Sequence, residues 1–360
     1  MKKMKIVLTG GGTAGHVTPN IALLPALEKR GYEIYYIGSY TGIERGLISL
    51  CGIKYYGISS GKLRRYFDLK NVTDTFRIAK GLIDAIKLLK QIRPDIVFSK
   101  GGFVVVPVVF AANMLGIPVV IHESDLTPGL ATRLAMPFAK TICTSFPETL
   151  KWVAKGKGAL TGSPVRVSLY SGSRSEGLRL CGFNYLPAKP VILITGGSLG
   201  SVIINRNIFE ILARLLKLFH VIHLCGKGNI KEDSRPGYAP FEYAQEEMPH
   251  MLAAADIVIS RAGANTIFEL LALGKPNLLI PLSKNASRGD QILNAASFEK
   301  QGYSKVLQEE EMSADSLYEA ILALYAKRGD YVKKMKASRP TEGVERVMAE
   351  IERWTKGTAT

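Results

Sequence analysis

Short runs of β-branched and aliphatic residues punctuate the chain: KIVLT, EIYYIG, DIVFSK, PVVIH and TICTS in the first half, then VILIT, HVIHL, DIVIS and NLLIP in the second. Longer stretches with helical spacing of apolar positions separate them, and this alternation predicts an α/β fold of parallel sheets covered by helices. Each series opens alike, with a strand, a glycine-rich turn and a helix, once at 6–16 and again at 191–201. The duplication predicts two doubly wound domains, placed at 1–163 and 190–341. Segment 164–189, which includes VSLYSGSRSEGLRLCGFNYLPAK, has little periodicity and reads as the linker. Helical spacing returns at 342–356. The stretch 101–121 has no charged side chain and is long enough to raise the question of a membrane span. Pro107, Asn113, Gly116 and Pro118 divide it into loop, short helix and strand, so a buried α/β segment is expected instead.

Composition narrows the partners. The 360 residues are 47% apolar, enough to bury the cores of two domains. Cys51, Cys143, Cys181 and Cys225 show no CxxC spacing, against a disulfide framework or a zinc site and in favour of a reducing compartment. The start, MKKMKIVLTGGG, is too short in apolar residues for a signal-peptide core, so a cytoplasmic location is expected. The net charge of +16 is uneven: residues 1–163 hold 22 Lys+Arg against 10 Asp+Glu. Within them 54–100 carries eleven basic and four acidic residues, including Lys62, Arg64, Arg65, Lys70, Arg77, Lys80, Lys87 and Lys90. This is either a solvated helix face or a surface for an anionic partner. Nucleic acid is disfavoured, since no RNP-type, zinc-finger or basic-zipper pattern accompanies the charge.

Three glycine turns follow strands. Gly10, Gly12 and Gly15 satisfy G-x-G-x-x-G, but the next strand ends Tyr36-Ile37-Gly38-Ser39 without the acid that holds the ribose of a dinucleotide. What remains is a loop whose N–H groups approach an anion, with Thr18-Pro19 opening the following helix. The second turn, Thr195 to Ser201, repeats the arrangement with added hydroxyls, and neither turn is a Walker A motif. The third, Ser99-Lys100-Gly101-Gly102-Phe103, is either a ligand turn at a strand's carboxyl end or a packing turn with a solvated lysine.

The segment from Ser260 to Glu269, SRAGANTIFE, followed by GDQILNA from Gly289 to Ala295, is more specific. A strand runs into a glycine loop, and the next helix aims its N-terminal dipole at an anion. Asn265 and Glu269 share one face at i,i+4, while Ile267, Leu270 and Leu271 face the core. A carboxylate so placed accepts both hydroxyls of a ribose.

Taken with GGTAGHVTPN, SKGGFVVVP, HESDLTPGLA, TGSPVR and GGSLGS, in that order along nearly the whole chain, these motifs resemble the MurG family. Its members are N-acetylglucosaminyltransferases acting on UDP-N-acetylglucosamine and undecaprenyl-pyrophosphoryl-muramyl-pentapeptide. The resemblance implies the GT-B architecture: two Rossmann-like domains facing a cleft, with the lipid acceptor on the N-terminal domain and the donor mainly on the C-terminal one. It implies that helix 342–356 crosses back to the N-terminal domain. It assigns donor phosphate to Gly197 and Ser198, the ribose to Glu269, and the phosphate and sugar path to Ala264, Asn265, Thr266, Ile267 and Phe268. Gln291 takes the sugar hydroxyls, Arg166 a donor or interdomain contact, and Gln245 a base contact. Thr13, Ala14 and Gly15 approach the donor from the opposite side with His16. Lys100, Gly101, Gly102, His122, Glu123 and Asp125 fall to the acceptor. Two positions depart from the family pattern: Ala14 stands where a glycine is frequent, and Asp125 replaces an amide.

The implied reaction is an inverting displacement in which the acceptor's 4-hydroxyl attacks the anomeric carbon and UDP departs. His16 is the candidate general base, since imidazole titrates near neutral pH, and His122 is the alternative. Helix N-termini after the GGS and RAGA loops supply positive potential for the leaving group, so no metal or other cofactor is expected for the chemical step. His220 and His223 fall on opposite faces of one strand, unsuited to a shared metal. The chain is expected on the cytoplasmic face of the bacterial membrane, held through basic 62–93 with Phe67, Phe76, Leu82 and Ile83 as apolar contacts, with cell-wall synthesis complexes as further partners. Two rivals stand beside this reading. Another UDP-sugar GT-B enzyme, such as an epimerase or a lipid glycosyltransferase, keeps the C-terminal motifs without HESDLTPGLA and SKGGF. A UDP-sugar sensor binds the donor without turnover.

Overall fold

A computed structural model describes residues 3–61, 70–197, 200–231, 233, 235–284, 288–338 and 340–355. The chain divides into two compact units, Met1–Arg166 with Thr341–Thr360, and Val167–Pro340.

The first unit holds seven parallel strands: β1 (Lys5–Thr9), β2 (Glu33–Ser39), β3 (Lys54–Ile58), β4 (Ile96–Ser99), β5 (Val119–Glu123), β6 (Thr141–Thr144) and β7 (Gly158–Leu160). They lie in the order β3-β2-β1-β4-β5-β6-β7. The second unit holds six: β8 (Val191–Thr195), β9 (His220–Leu224), β10 (Tyr238–Phe241), β11 (Ile257–Ser260), β12 (Asn277–Leu279) and β13 (Ser304–Val306), in the order β10-β9-β8-β11-β12-β13. Both sheets are wound as 3-2-1-4-5-6 from their own first strand, as in Rossmann folds. The winding reverses between β1 and β4 in one unit and between β8 and β11 in the other. Crevices outside the carboxyl ends of such strand pairs are where doubly wound sheets bind ligands.

The near-continuous apolar strands are explained by cover on both faces. On one face of the first sheet Val7, Ile37, Val97 and Ile121 pack with Ala85 and Leu89 of helix Lys70–Ile92 and Val108 and Ala112 of helix Val105–Met114. On the other, Ile6, Leu8, Tyr36 and Phe98 pack with Leu23 and Leu27 of helix Thr18–Lys29 and with Val347, Met348 and Ile351 of helix Gly343–Thr355. Glu345 and Glu352 each lie 2.6 Å from the Arg30 guanidinium, and Trp354 Nε1 donates to Thr141 Oγ1 at 2.8 Å. Gly343 is glycine for space, since a Cβ there would stand 2.3 Å from the Ser163 carbonyl. The C-terminal helix is therefore a structural part of the first unit.

Segment 101–121 resolves as the sequence predicts, into a turn, helix Val105–Met114 and the approach to β5. Among the described residues no helix is long and apolar enough to cross a membrane. Segment 164–189 differs from its reading as a featureless linker. It contains a 3-10 turn, Val167–Ser171, and helix Arg174–Leu180, whose N-cap Ser173 accepts the Glu176 N–H. Gly172 and Gly177 let this segment touch helix Met248–Ala254, since a Cβ at either would lie 2.0–2.2 Å from a carbonyl of Pro249 or His250. The helix is too short to show a period.

Candidate active site

In the first unit the loop after β1 is built from below. Tyr36 of β2 donates its hydroxyl to Gly10 O at 2.8 Å, and Asn20 donates to Thr9 O at 3.3 Å. Glu44, in the first turn of helix Ile43–Ser49, is fully buried and accepts the Gly12 N–H at 3.1 Å and the Ser39 N–H at 2.9 Å. A carboxylate thus stands five residues past the strand end where a dinucleotide fold carries its ribose acid, and it is turned inward onto the loop. This was invisible in the sequence, because nothing about TGIERG marks its glutamate as buried.

The loop ends in the turn Ala14–His16. His16 Nδ1 lies 3.0 Å from Gly11 O and 3.1 Å from Thr13 Oγ1. A carbonyl only accepts, so Nδ1 carries the hydrogen and Nε2 keeps its lone pair. Nε2 lies over Gly101, at 3.5 Å from where a Cβ would be. Gly102, at φ +87°, passes so close that a Cβ would stand 2.1 Å from Gly11 O. The Gly101-Gly102 pair therefore gives clearance to the His16 loop. Thr13 and Gly15 are exposed and Ala14 is half-buried.

The acceptor candidates divide. Lys100 is no solvated lysine: it is 2% exposed and donates to Ser124 Oγ. Burial pushes its ammonium down to about 8 against the opposing pull of Glu123 and Asp125. Glu123 is buried too, its carboxyl pushed up by burial and by Asp125, and it accepts the N–H groups of Asp125 at 3.0 Å and Gly129 at 3.3 Å. His122 has no exposed surface. Its Nε2 donates to Gly162 O at 2.9 Å, and burial holds its pKa well below the ordinary value. His122 is thus an interior group with no surface to offer a substrate hydroxyl. Lys100 and Glu123 brace the turn 124–129 while His122 ties β5 to Gly162, and only Asp125 among that motif's candidates is partly open.

In the second unit the turn after β8 is tight: a Cβ on Gly200, at φ +75°, would lie 2.1 Å from Cys225 O. Gly197, at φ +93°, donates its N–H to Thr195 Oγ1 at 3.2 Å. Ser198 lies outside the described residues. Ser201 caps helix Val202–Leu218 and receives Arg261 Nη2 at 2.7 Å. Arg261 is buried, 2.5 Å from Glu309, and donates to Ile280 O at 3.2 Å. It ties the two switch-point loops of this unit together. Gln291 Oε1 accepts the N–H groups of Ala262 at 3.2 Å and Leu282 at 3.1 Å, and Asn294 donates to Ala262 O at 3.3 Å. Gln291 is thereby first a brace for the loop after β11, with its amide nitrogen as the remaining polar group. The sequence reading passed over Arg261 and Asn294, although a charged residue directly after a buried strand was a signal.

Helix Ala264–Ala272 starts at Gly263 without a side-chain cap. Its first three N–H groups, at Ala264, Asn265 and Thr266, have no intrahelical acceptor by position, whereas the Ile267 N–H already bonds Gly263 O at 3.1 Å. Ile267 is fully buried and Phe268 packs edge-on to Phe298 at 5.1 Å. Both side chains therefore belong to the core. Glu269 is half-buried on the open side, and its charge, after burial itself, pushes the Tyr170 hydroxyl upward. Tyr170 lies in the segment read as linker. Gln245 is exposed beyond β10, and Arg166 is half-buried at the end of the first unit. His220 and His223 are separate: one donates to Pro187 O at 3.0 Å, the other sits between Tyr238 and Asn205.

Comparison with known proteins agrees with this arrangement. Residues 6–144 match the glycosyltransferase family 28 N-terminal domain and 191–351 the family's C-terminal domain. A protein of Lachnospira eligens is 60% identical over 346 residues, covering 96% of this chain and 97% of its own. One of Clostridium tetani is 57% identical over 354 residues, covering 98% of each chain. Both are named UDP-N-acetylglucosamine–N-acetylmuramyl-(pentapeptide) pyrophosphoryl-undecaprenol N-acetylglucosamine transferase. Among solved structures, MurG of Acinetobacter baumannii superposes with a TM-score of 0.74 at 24% identity, covering 97% of this chain and 99% of that one. A UDP-GlcNAc 2-epimerase of Neisseria meningitidis bound to UDP-GlcNAc gives 0.66 at 15% identity, covering 97% and 100%. At such identities the likeness is one of fold, the GT-B fold.

Proposed function

The chain belongs to glycosyltransferase family 28, and from that premise we infer that it transfers N-acetylglucosamine from UDP-N-acetylglucosamine to undecaprenyl-pyrophosphoryl-N-acetylmuramyl-pentapeptide. The observation that carries this is the 57–60% identity, over nearly the whole of both chains, to transferases of that name. The epimerases share the fold at 13–17% identity, too little to bring their chemistry here.

In this reading the second unit takes the donor. The N–H groups of Ala264, Asn265 and Thr266 and the Gly197 loop face the pyrophosphate, with two helix N-termini adding positive potential. Glu269 accepts the ribose hydroxyls, and the Gln291 amide and Gln245 serve the sugar and base. The first unit takes the acceptor, with His16, Gly101 and Asp125 nearest the reacting hydroxyl. The 4-hydroxyl oxygen forms a bond to the anomeric carbon as the bond to the UDP oxygen breaks. UDP keeps the electron pair, and the hydroxyl proton passes to His16 Nε2. Charge on the leaving pyrophosphate is met by backbone N–H groups, so no metal is assigned to the step. Turnover in excess EDTA tests this: UDP release that requires the lipid acceptor is expected to continue, and strict dependence on added divalent cation would contradict it.

The lipid acceptor also places the reaction at a membrane surface. Arg77, Lys80, Ile83, Lys87 and Lys90 are exposed along one stripe of helix Lys70–Ile92, and Ile83 shows 54% of its surface. Leu82 instead packs on the core. Residues 62–69, with Phe67, and the Phe76 side chain lie outside the described residues. With about 1 kcal/mol for each Lys or Arg near anionic lipid, this stripe supports reversible attachment. Vesicles with anionic lipid are expected to sediment the protein at low salt and release it at high salt. Equal binding to neutral vesicles at either salt concentration would remove the electrostatic account.

A further inference from the structure

We propose that Glu44 is a positioning residue for His16 and acts on it through the Gly11–Gly12 peptide group. The inference rests on His16 being the general base and goes beyond it. One face of that peptide group, the Gly12 N–H, donates to Glu44 Oε2 at 3.1 Å; the other, the Gly11 carbonyl, accepts from His16 Nδ1 at 3.0 Å. Carboxylate, amide and imidazole are thus joined in series by two hydrogen bonds. Each bond polarises the next: an acceptor charge at the N–H draws electron density onto the carbonyl oxygen, which then binds the ring N–H more strongly. In a Ser-His-Asp triad the carboxylate touches the imidazole directly and stabilises the imidazolium. Here one peptide unit stands between them.

The surroundings are shaped for this contact. Glu44 has no exposed surface and is held by three donors, the third being the Ser39 hydroxyl at 2.5 Å. Burying a carboxylate is costly without such donors. Gly11 and Gly38 are glycine because a Cβ at either would lie 2.6 Å from the Glu44 carboxyl carbon or 2.8 Å from its Cγ. With Gly42, whose Cβ would lie 2.2 Å from both carboxylate oxygens, the chain gives up side chains at three positions around this carboxylate. The titratable groups facing the series are Tyr36 and Tyr55, both pushed upward by burial and by Glu44, with Arg45 opposing at Tyr55, and Lys100, whose Cβ is 3.3 Å from where a Gly10 Cβ would be. The tyrosines are pushed upward and stay neutral between pH 5 and 7.5, the range over which the acidic limb is read.

The test is a double-mutant cycle on kcat across that range, with Glu44→Gln, His16→Ala and the pair. Glu44→Gln is expected to lower kcat by about 10–100-fold, the usual scale for loss of a residue that orients a reactive ligand. It should also move the acidic limb to lower pH, because removing a negative charge weakens proton binding to the ring. Added to His16→Ala, it should cost less than about twofold more, since coupled residues are not additive. Additive losses, or an acidic limb that stays in place, overturn the proposal. A His16→Ala enzyme of near wild-type kcat would instead overturn the base assignment. 15N spectra of the wild-type imidazole then decide the contact itself, independently of any variant's folding: a dominant Nδ1–H tautomer is expected, and an Nε2–H tautomer overturns it.

Discussion

His16→Ala is expected to lower kcat by about 10²–10⁴-fold while leaving the KM for UDP-N-acetylglucosamine nearly unchanged. The split follows from where the side chain stands. Nδ1 is committed to Gly11 O at 3.0 Å, so the other ring nitrogen, Nε2, beside the Gly101 backbone, is the one that takes a proton. A group that binds pyrophosphate would reveal itself in KM instead. His122 is a poor substitute: Nε2 donates to Gly162 O at 2.9 Å, so a proton would have to be taken by Nδ1, which is buried, and the charge would sit in the interior. Steady-state kinetics with both substrates varied, and the fold checked by circular dichroism, measure the effect. A fall in kcat of less than about tenfold would exclude base catalysis by His16 and leave Asp125 as the next candidate.

Glu269→Ala is expected to weaken UDP-N-acetylglucosamine binding by about 1.5–3 kcal/mol, the worth of hydrogen bonds to a charged acceptor. The fold should survive, because Glu269 stands on the half-buried side of its helix while Ile267, Leu270 and Leu271 carry the packing. Tyr170 is the neighbour that could take a different role, since its hydroxyl senses the Glu269 charge. Tyr170→Phe keeps the ring and removes the hydroxyl, so the pair separates a ribose contact from a Tyr170 contact. Calorimetry on both variants is the measurement. Donor affinity unchanged in Glu269→Ala would take the carboxylate out of the site.

The fold was legible because both sheets are covered on each face, which turns their inner strands into apolar runs; the edge strands β3, β7, β10 and β13 are short or part-exposed and show no such run. The glycine turns were legible for the same reason: they stand at strand ends, and the switch points β1/β4 and β8/β11 collect them. What the sequence hid was the direction of polar side chains. Lys100, His122 and Glu123 belong to motifs that look functional, yet burial turns all three inward as supports. Ile267 and Phe268 are assigned to the sugar path by resemblance, and their side chains pack in the core. Glu44 and Arg261 escaped notice because a buried charge is recognised by its partners, and Gly12, Ser201 and Glu309 are remote in sequence. Tyr170 was hidden in a segment whose helix is too short to show periodicity.

The most direct test of the account is product analysis by mass spectrometry of a reaction holding the purified protein, UDP-N-acetylglucosamine and the undecaprenyl-linked muramyl-pentapeptide. The account expects the lipid to gain one N-acetylglucosamine residue for each UDP released, with neither product formed when the acceptor is left out. Release of UDP or conversion of the sugar without acceptor, or an acceptor that never gains mass, would contradict it.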